Sequence, residues 1–456
     1  MSSDPTYLSM LDRRQFIALA LTGTAAFTGG ALITRLGGTT QPVAQRMNCT
    51  DLAMTEALVQ MVDGSRVYHW AFEDLSRPRG APQMPGPLIQ AVEGDEVEIN
   101  VTNHLPGTHG FRIPGVPGVA GEGVEIASGA TATLTFAAPA GGSYLYFDHL
   151  NAPVNRVLGL RGPMIVLPAR GTTPYSTPTP AVQRLFNDLG TTDHYPGEPW
   201  RSDRTRVWLH NSIDPSFNMR AQRGESIDAE QFTKNFLPRY FTINGLSGAY
   251  SAHDNSVIPS GRVGQPHVIR LMNVGMCWQS PHLHGNHFQV IARVGDDLDS
   301  QRVQDNVVSI DTVTLRPLER MDWLHPFIRP ADIAASPSIP IREAAQEELG
   351  MIVGDVPLSP LSWPMHCHME MSQTAAGGNY PQGAVAMWEL TGDLDGVDFP
   401  DSTHAIEPAS SALDATASQD RTQTPASEAT ASHDQTATPT EETTASRTET
   451  TPAEGD

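Results

Sequence analysis

The sequence predicts an all-β protein built as two β-sandwich domains. Three observations carry this prediction. Short apolar, β-branched or aromatic segments alternate at period two, as at residues 96–102, 131–136, 206–210 and 268–272. Glycine (39) and proline (37) punctuate the chain between them. Helical periodicity is scarce, and residues 181–189 form the best short candidate. Successive strand side chains point to opposite faces, so alternation marks a strand with one buried face. Many such strands at regular spacing, separated by turn residues, mark sandwiches.

The chain has 456 residues. At roughly 100–200 residues per domain this allows about two to three domains with sizeable cores. Composition divides it further. Residues 1–45 hold Arg13 and Arg14 before a modest apolar run rich in Gly, Thr and Ala, which looks like a Tat export signal. No clean small-x-small cleavage site follows, so a retained membrane anchor stays open. Residues 50–170 read as the first domain, the Pro-rich stretch 171–202 as a linker, and 203–397 as the second domain. Residues 401–456 are dominated by Ser, Thr, Ala, Pro, Asp and Glu. Such a tail cannot bury enough apolar surface to offset its ordering entropy and is expected to be disordered.

The net charge is −22, and Lys234 is the only lysine. Phosphate is repelled by such a surface, which argues against nucleic acid as a partner. The three cysteines, Cys49, Cys277 and Cys367, are too few for a disulfide framework. Cys277 reads as a small buried apolar residue.

The chemistry concentrates in the second domain. One His-x-His pair is His282 and His284, within the segment 281–287. The other is His366 and His368, flanking Cys367. On a strand, residues i and i+2 share a face, so each pair presents two imidazoles together. Two such strands side by side supply four convergent nitrogens. Imidazole suits Cu, Zn, Fe and Ni, and a thiolate on the opposite face would favour copper. The bland alternative is a set of hydrogen-bonded core histidines. His69, His104, His194, His210, His253, His267 and His325 lack paired spacing and read as structural or exposed.

Residues 85–105, the segment 142–149 with 159–166, the segment 281–287, and His366-Cys367-His368 resemble, in order, the motifs of the multicopper oxidases. The resemblance covers nearly all of residues 85–390. It implies two cupredoxin-like Greek-key sandwiches and a copper cofactor. The family's three-copper cluster uses eight histidines. Carried over position by position, six remain: His109, His149, His282, His284, His366 and His368. The other two positions fall on Phe111 and Phe147, both at one copper of the cluster. His149, His284 and His366 would keep a complete set for another, and His368 would be left without a metal. At the electron-entry copper Cys367 is present, but the two expected histidines are Gln279 and Ser372, so a blue copper is not expected. Asp148 could bond backbone or orient a neighbouring ligand, and His287 could be a replacement ligand or a surface residue.

The resemblance thus implies an exported oxidoreductase with one or two coppers, acting with a small-molecule reductant and an oxyanion or dioxygen. Two-domain members form homotrimers, which the chain is expected to share. The alternatives are a copper-free cupredoxin scaffold and a nitrite-reductase-like single-copper enzyme.

Overall fold

Two consecutive β-sandwiches repeat one strand plan. The computed structural model describes residues 47–77, 81–294, 299, 301–330, 360–378, 380–396 and 398. The twin-arginine segment and the acidic tail lie outside them. No helix among the described residues is long and apolar enough to cross a membrane.

In the first domain one sheet runs β2 (Arg66–Asp74), β1 (Met47–Gln60), β4 (Glu96–Asn103), β7 (Thr131–Ala137). The facing sheet runs β3 (Ile89–Val92), β9 (Arg161–Leu167), β8 (Gly142–Phe147), and a short ladder pairs β5 (His109–Phe111) with β6 (Val124–Ile126). In the second domain the sheets run β11 (Tyr240–Ile243), β10 (Thr205–Ile213), β13 (His267–Asn273), β17 (Arg320–His325), β15 (Phe288–Val294), β16 (Gln301–Ile310), and β12 (Ser260–Arg262), β19 (Val385–Gly392), β18 (Leu361–Cys367), β14 (Pro281–Leu283).

The repeat is visible in strand polarity. β1 and β4 are parallel, as are β10 and β13. β3 and β9 are parallel, as are β12 and β19. β8 and β9 are antiparallel, as are β18 and β19. Each sandwich closes over its own core: Phe72, Phe111 and Tyr146 in the first, Trp208, Trp323 and Trp388 in the second.

The strands foreseen at 96–102, 131–136, 206–210 and 268–272 all form. β1, however, begins at Met47, ahead of the expected domain start, and carries exposed Cys49. The expected helix forms as Pro180–Asp188, with Thr179 capping it and Pro180 at its first position. Two further helices, Pro215–Gln222 and Ala229–Asn235, start after Asp214 and Asp228, whose side chains accept from Ser216 N and Gln231 N. The Asp-Pro pair was a readable start signal, but helices this short carry little periodicity.

The domains join across a seam of Leu145, Phe147 and Ile165 from the first and Leu209, Met272 and Val274 from the second. At its edge Asp322, fully buried, accepts from Ser143 Oγ and Tyr175 Oη at 2.6 Å, and from Arg270 and Gln301.

Candidate metal centre

β14 and β18 pair antiparallel with His282 opposite His366. Leu283, Met365 and Cys367 point into the second core. By alternation His282, His284, His366 and His368 stand together on the outer face. Nε2 of His284 lies 3.1 Å from Nε2 of His366. Ligand atoms of His282, His284 and His366 all lie within 4.8 Å of one another. Two nitrogens each about 2.0–2.1 Å from one ion can be at most about 4.2 Å apart, so the 3.1 Å pair fits a shared ion. The His368 ring is 5.0 Å from His282 and 5.3 Å from His366.

The ligand set is held from behind. His282 Nδ1 lies 3.2 Å from the Asp311 carbonyl and 2.6 Å from Thr312 Oγ1. A carbonyl only accepts, so Nδ1 donates and Nε2 keeps its lone pair. Burial, then the neighbouring imidazoles, holds His282 below the ordinary histidine range. Burial does the same for His366, against the Cys367 carbonyl. Neutral imidazoles are the metal-binding form. A cavity of about 440 Å³ opens beside His282 and His284 and is also lined by His194, His287, Asp311 and Arg329. His287 is therefore at the cavity wall, outside the three-histidine group.

The first domain corrects the sequence reading. Arg112, not His109, exchanges backbone hydrogen bonds with Phe147. Its place matches that of His282 opposite His366, so the outward positions of the first motif are Arg112 and Pro114. His109, Phe111 and Ile113 alternate onto the core side, and all three are buried. His109 is thus not on the metal face. Its Nδ1 lies 2.7 Å from Asp148 Oδ2, and its ring packs edge-on against Trp70. Asp148 also accepts from Gly110 N, Leu150 N and Asn155 Nδ2 at 2.8–2.9 Å. It therefore bonds backbone, and the histidine it holds is the core-facing His109.

Phe111 and Phe147 do not share one cavity, as the sequence reading supposed. Opposite faces of the ladder send Phe111 onto Tyr146 and Phe72 in the first core, and Phe147 into the domain seam. His149 does face outward, half-buried against Gly110 and Gly123, with its Nδ1 unpartnered. It is not part of the in-chain three-histidine group, whose third member is His282.

The repeat also illuminates Cys367. Three residues before Arg112 stands His109, and three before His282 stands Gln279. His109 bonds Asp148 in the first domain; Gln279 and Cys367 hold the matching core-facing places in the second. Gln279 is fully buried with both amide atoms unpartnered. Cys367 Sγ accepts from Ser280 N at 3.1 Å, and burial raises its pKa. Ser372 is buried, its hydroxyl donating to the Met369 carbonyl. One thiol with an amide and a hydroxyl lacks the imidazole plane of a blue copper. Cys277 is half-buried against the same core.

Residues 81–171 match the family profile described as multicopper oxidase. An L-ascorbate oxidase from Brassica rapa subsp. pekinensis is 30% identical over 166 residues, 34% of this chain and 29% of that enzyme. The chain thus matches under a third of that relative's length. Among solved structures, the blue copper oxidase from Nitrosomonas europaea superposes with a TM-score of 0.53 at 21% identity, over 76% of this chain and 86% of that one. The multicopper oxidase mgLAC gives 0.52 at 21% identity, over 78% and 89%. At this identity the structural matches speak for the cupredoxin fold of both domains. The profile match to multicopper oxidases in sequence is confined to the first domain, at residues 81–171.

Proposed function

We propose that this chain is an exported copper-binding oxidoreductase of multicopper-oxidase type, with an incomplete copper set. The observation that carries this reading is the convergence of His282, His284 and His366 from two paired strands. Copper bound there supplies a Lewis-acidic, one-electron centre. The residues themselves do the rest. Asp311 and Thr312 fix the His282 tautomer. The pairing of β14 with β18 sets the His284–His366 separation. The cavity beside them admits a small molecule, taken to be a small reductant or an oxyanion or dioxygen. Gln279 and Ser372 leave no blue copper to feed electrons inward, so a donor must reach the histidine face directly. The same three-histidine group also supports a second reading, a nitrite-reductase-like single-copper enzyme.

Export by the Tat route, to the periplasm or beyond with or without a retained anchor, is supported by Arg13 and Arg14 and the apolar run after them. Assembly as a homotrimer belongs to the same proposal. A closed ring would bring the first domain of one copy, with its outward His149, toward the histidine face of the next.

Metal analysis of the pure full chain, with an EPR spectrum, tests the reading. Bound copper with nitrogen hyperfine structure, lost in H284A and H366A, is the expected result. Protein that folds and takes up no copper would instead be a cupredoxin scaffold. Turnover with nitrite and a small reductant would select the second reading.

A further inference from the structure

We infer that the chain binds a single copper ion, because the first domain's copy of the histidine face has lost its ligands. This rests on the copper reading above and sharpens its count. The two sandwiches share the polarity of their matching strands, and the repeat can be aligned at the site itself. Arg112 opposes Phe147 as His282 opposes His366. Moving two residues along each strand sets Pro114 against His284 and His149 against His368. Three independent features fix this register. Ile113 and Leu283 lie at matching places and are buried in their respective cores. Gly115 and Gly285 follow with φ of 86° and 79°, a left-handed turn in both domains. Asp148 and Cys367, between the outward pairs, are both buried.

Four imidazoles in the second domain therefore correspond to Arg112, Pro114, Phe147 and His149 in the first. Three of these cannot bind a metal. A guanidinium has five donors, no acceptor lone pair and a permanent charge that repels a cation. Proline and phenylalanine side chains offer no ligand atom. These side chains also have other engagements. Arg112 Nε donates to the Gly121 carbonyl at 2.7 Å, and its Nη2 lies 3.5 Å from Asp299 Oδ1. Phe147 fills the apolar seam between the domains. His149 alone remains, and one imidazole does not hold a second ion. In the second domain the ligand atoms of His282, His284 and His366 lie within 4.8 Å of one another, His284 and His366 being 3.1 Å apart.

The test counts metal and spins in the same sample. Full-length protein, stripped of metal and reloaded with Cu(II), is measured by elemental analysis and by integrated EPR. One copper per chain, all of it EPR-visible, is expected. Two or more coppers per chain, or bound copper exceeding the spin count as in a magnetically coupled pair, overturns the inference. No copper at all overturns the functional reading on which it rests. A second arm tests the register directly. The triple substitution R112H/P114H/F147H recreates the counterparts of His282, His284 and His366, and a folded variant is expected to rise from one copper to two. A variant that melts like the parent yet stays at one overturns the positional match. The wild-type count stands even where the variant does not fold.

Discussion

At the residue scale, the most consequential side chains are buried and polar. His69, His210 and His325 are fully buried. Burial pushes their pKa values down to about 3, about 4 and about 3. In the unfolded chain each binds a proton near pH 6.5, as ordinary histidine does. Below that pH the unfolded state holds more protons than the folded state, so stability falls with pH. The loss begins near pH 6.5 and continues to the folded values near 4 and 3. Each histidine adds about 1.4 kcal/mol per pH unit across its window. Thermal melts from pH 7.5 to 5 are expected to show this decline, and H210Q to reduce its slope by about one proton. An unchanged slope would mean that His210 titrates normally in the fold. At the metal face the same burial works for function, since it keeps His282 and His366 neutral.

At the element scale, the sites are made by strand pairing. The β14–β18 ladder brings together histidines 84 residues apart in sequence, His282 and His366. In the first domain, β5 and the residues after β8 leave no room for a side chain at Gly110. A Cβ there would stand 2.7 Å from His149 Nδ1 and 2.8 Å from Asp148 Oδ1. Overpacking of this kind costs about 1–3 kcal/mol. G110A is therefore expected to lower stability by that amount in denaturant unfolding, and to displace His149. An unperturbed G110A would show that the ladder can shift to accept it. The 3.6-residue period was weak in the short helices, but their caps were plain in Thr179 and in Asp214 followed by Pro215.

For the whole molecule, the seam between the domains combines apolar packing with one buried polar hub. Asp322 gathers Ser143 of the first domain, Tyr175 of the connecting stretch, and Arg270 and Gln301 of the second. Removing one partner of a buried ion pair costs about 3–5 kcal/mol, because the other charge stays buried without compensation. D322N is expected to destabilise by that order, seen as a lower melting midpoint, by leaving Arg270 buried without its counter-charge. A midpoint within a degree of the parent would show that Arg270 finds other acceptors. The assembly is a separate question. Sedimentation of the full chain should give three times its 49.2 kDa mass, and a monomer at micromolar concentration would reject the ring.

The sequence by itself determined the fold class, the two domains' strands and the histidine face of the second domain. Period-two alternation depends only on which residues are apolar, and His-x-His spacing on a strand puts two imidazoles on one side whatever the rest of the chain does. It did not determine which first-domain residues share that face. Its placement of the first motif on His109 and Phe111 missed by three residues, because that short strand offers several polar and apolar positions and no second histidine to fix the register. Only the tertiary structure decided this, through the hydrogen bonds between Arg112 and Phe147. An odd-numbered slip exchanges the two faces of a strand. It turned His109 inward to Asp148, set Arg112 and Pro114 where imidazoles were sought, and left His149 as the first domain's outward histidine.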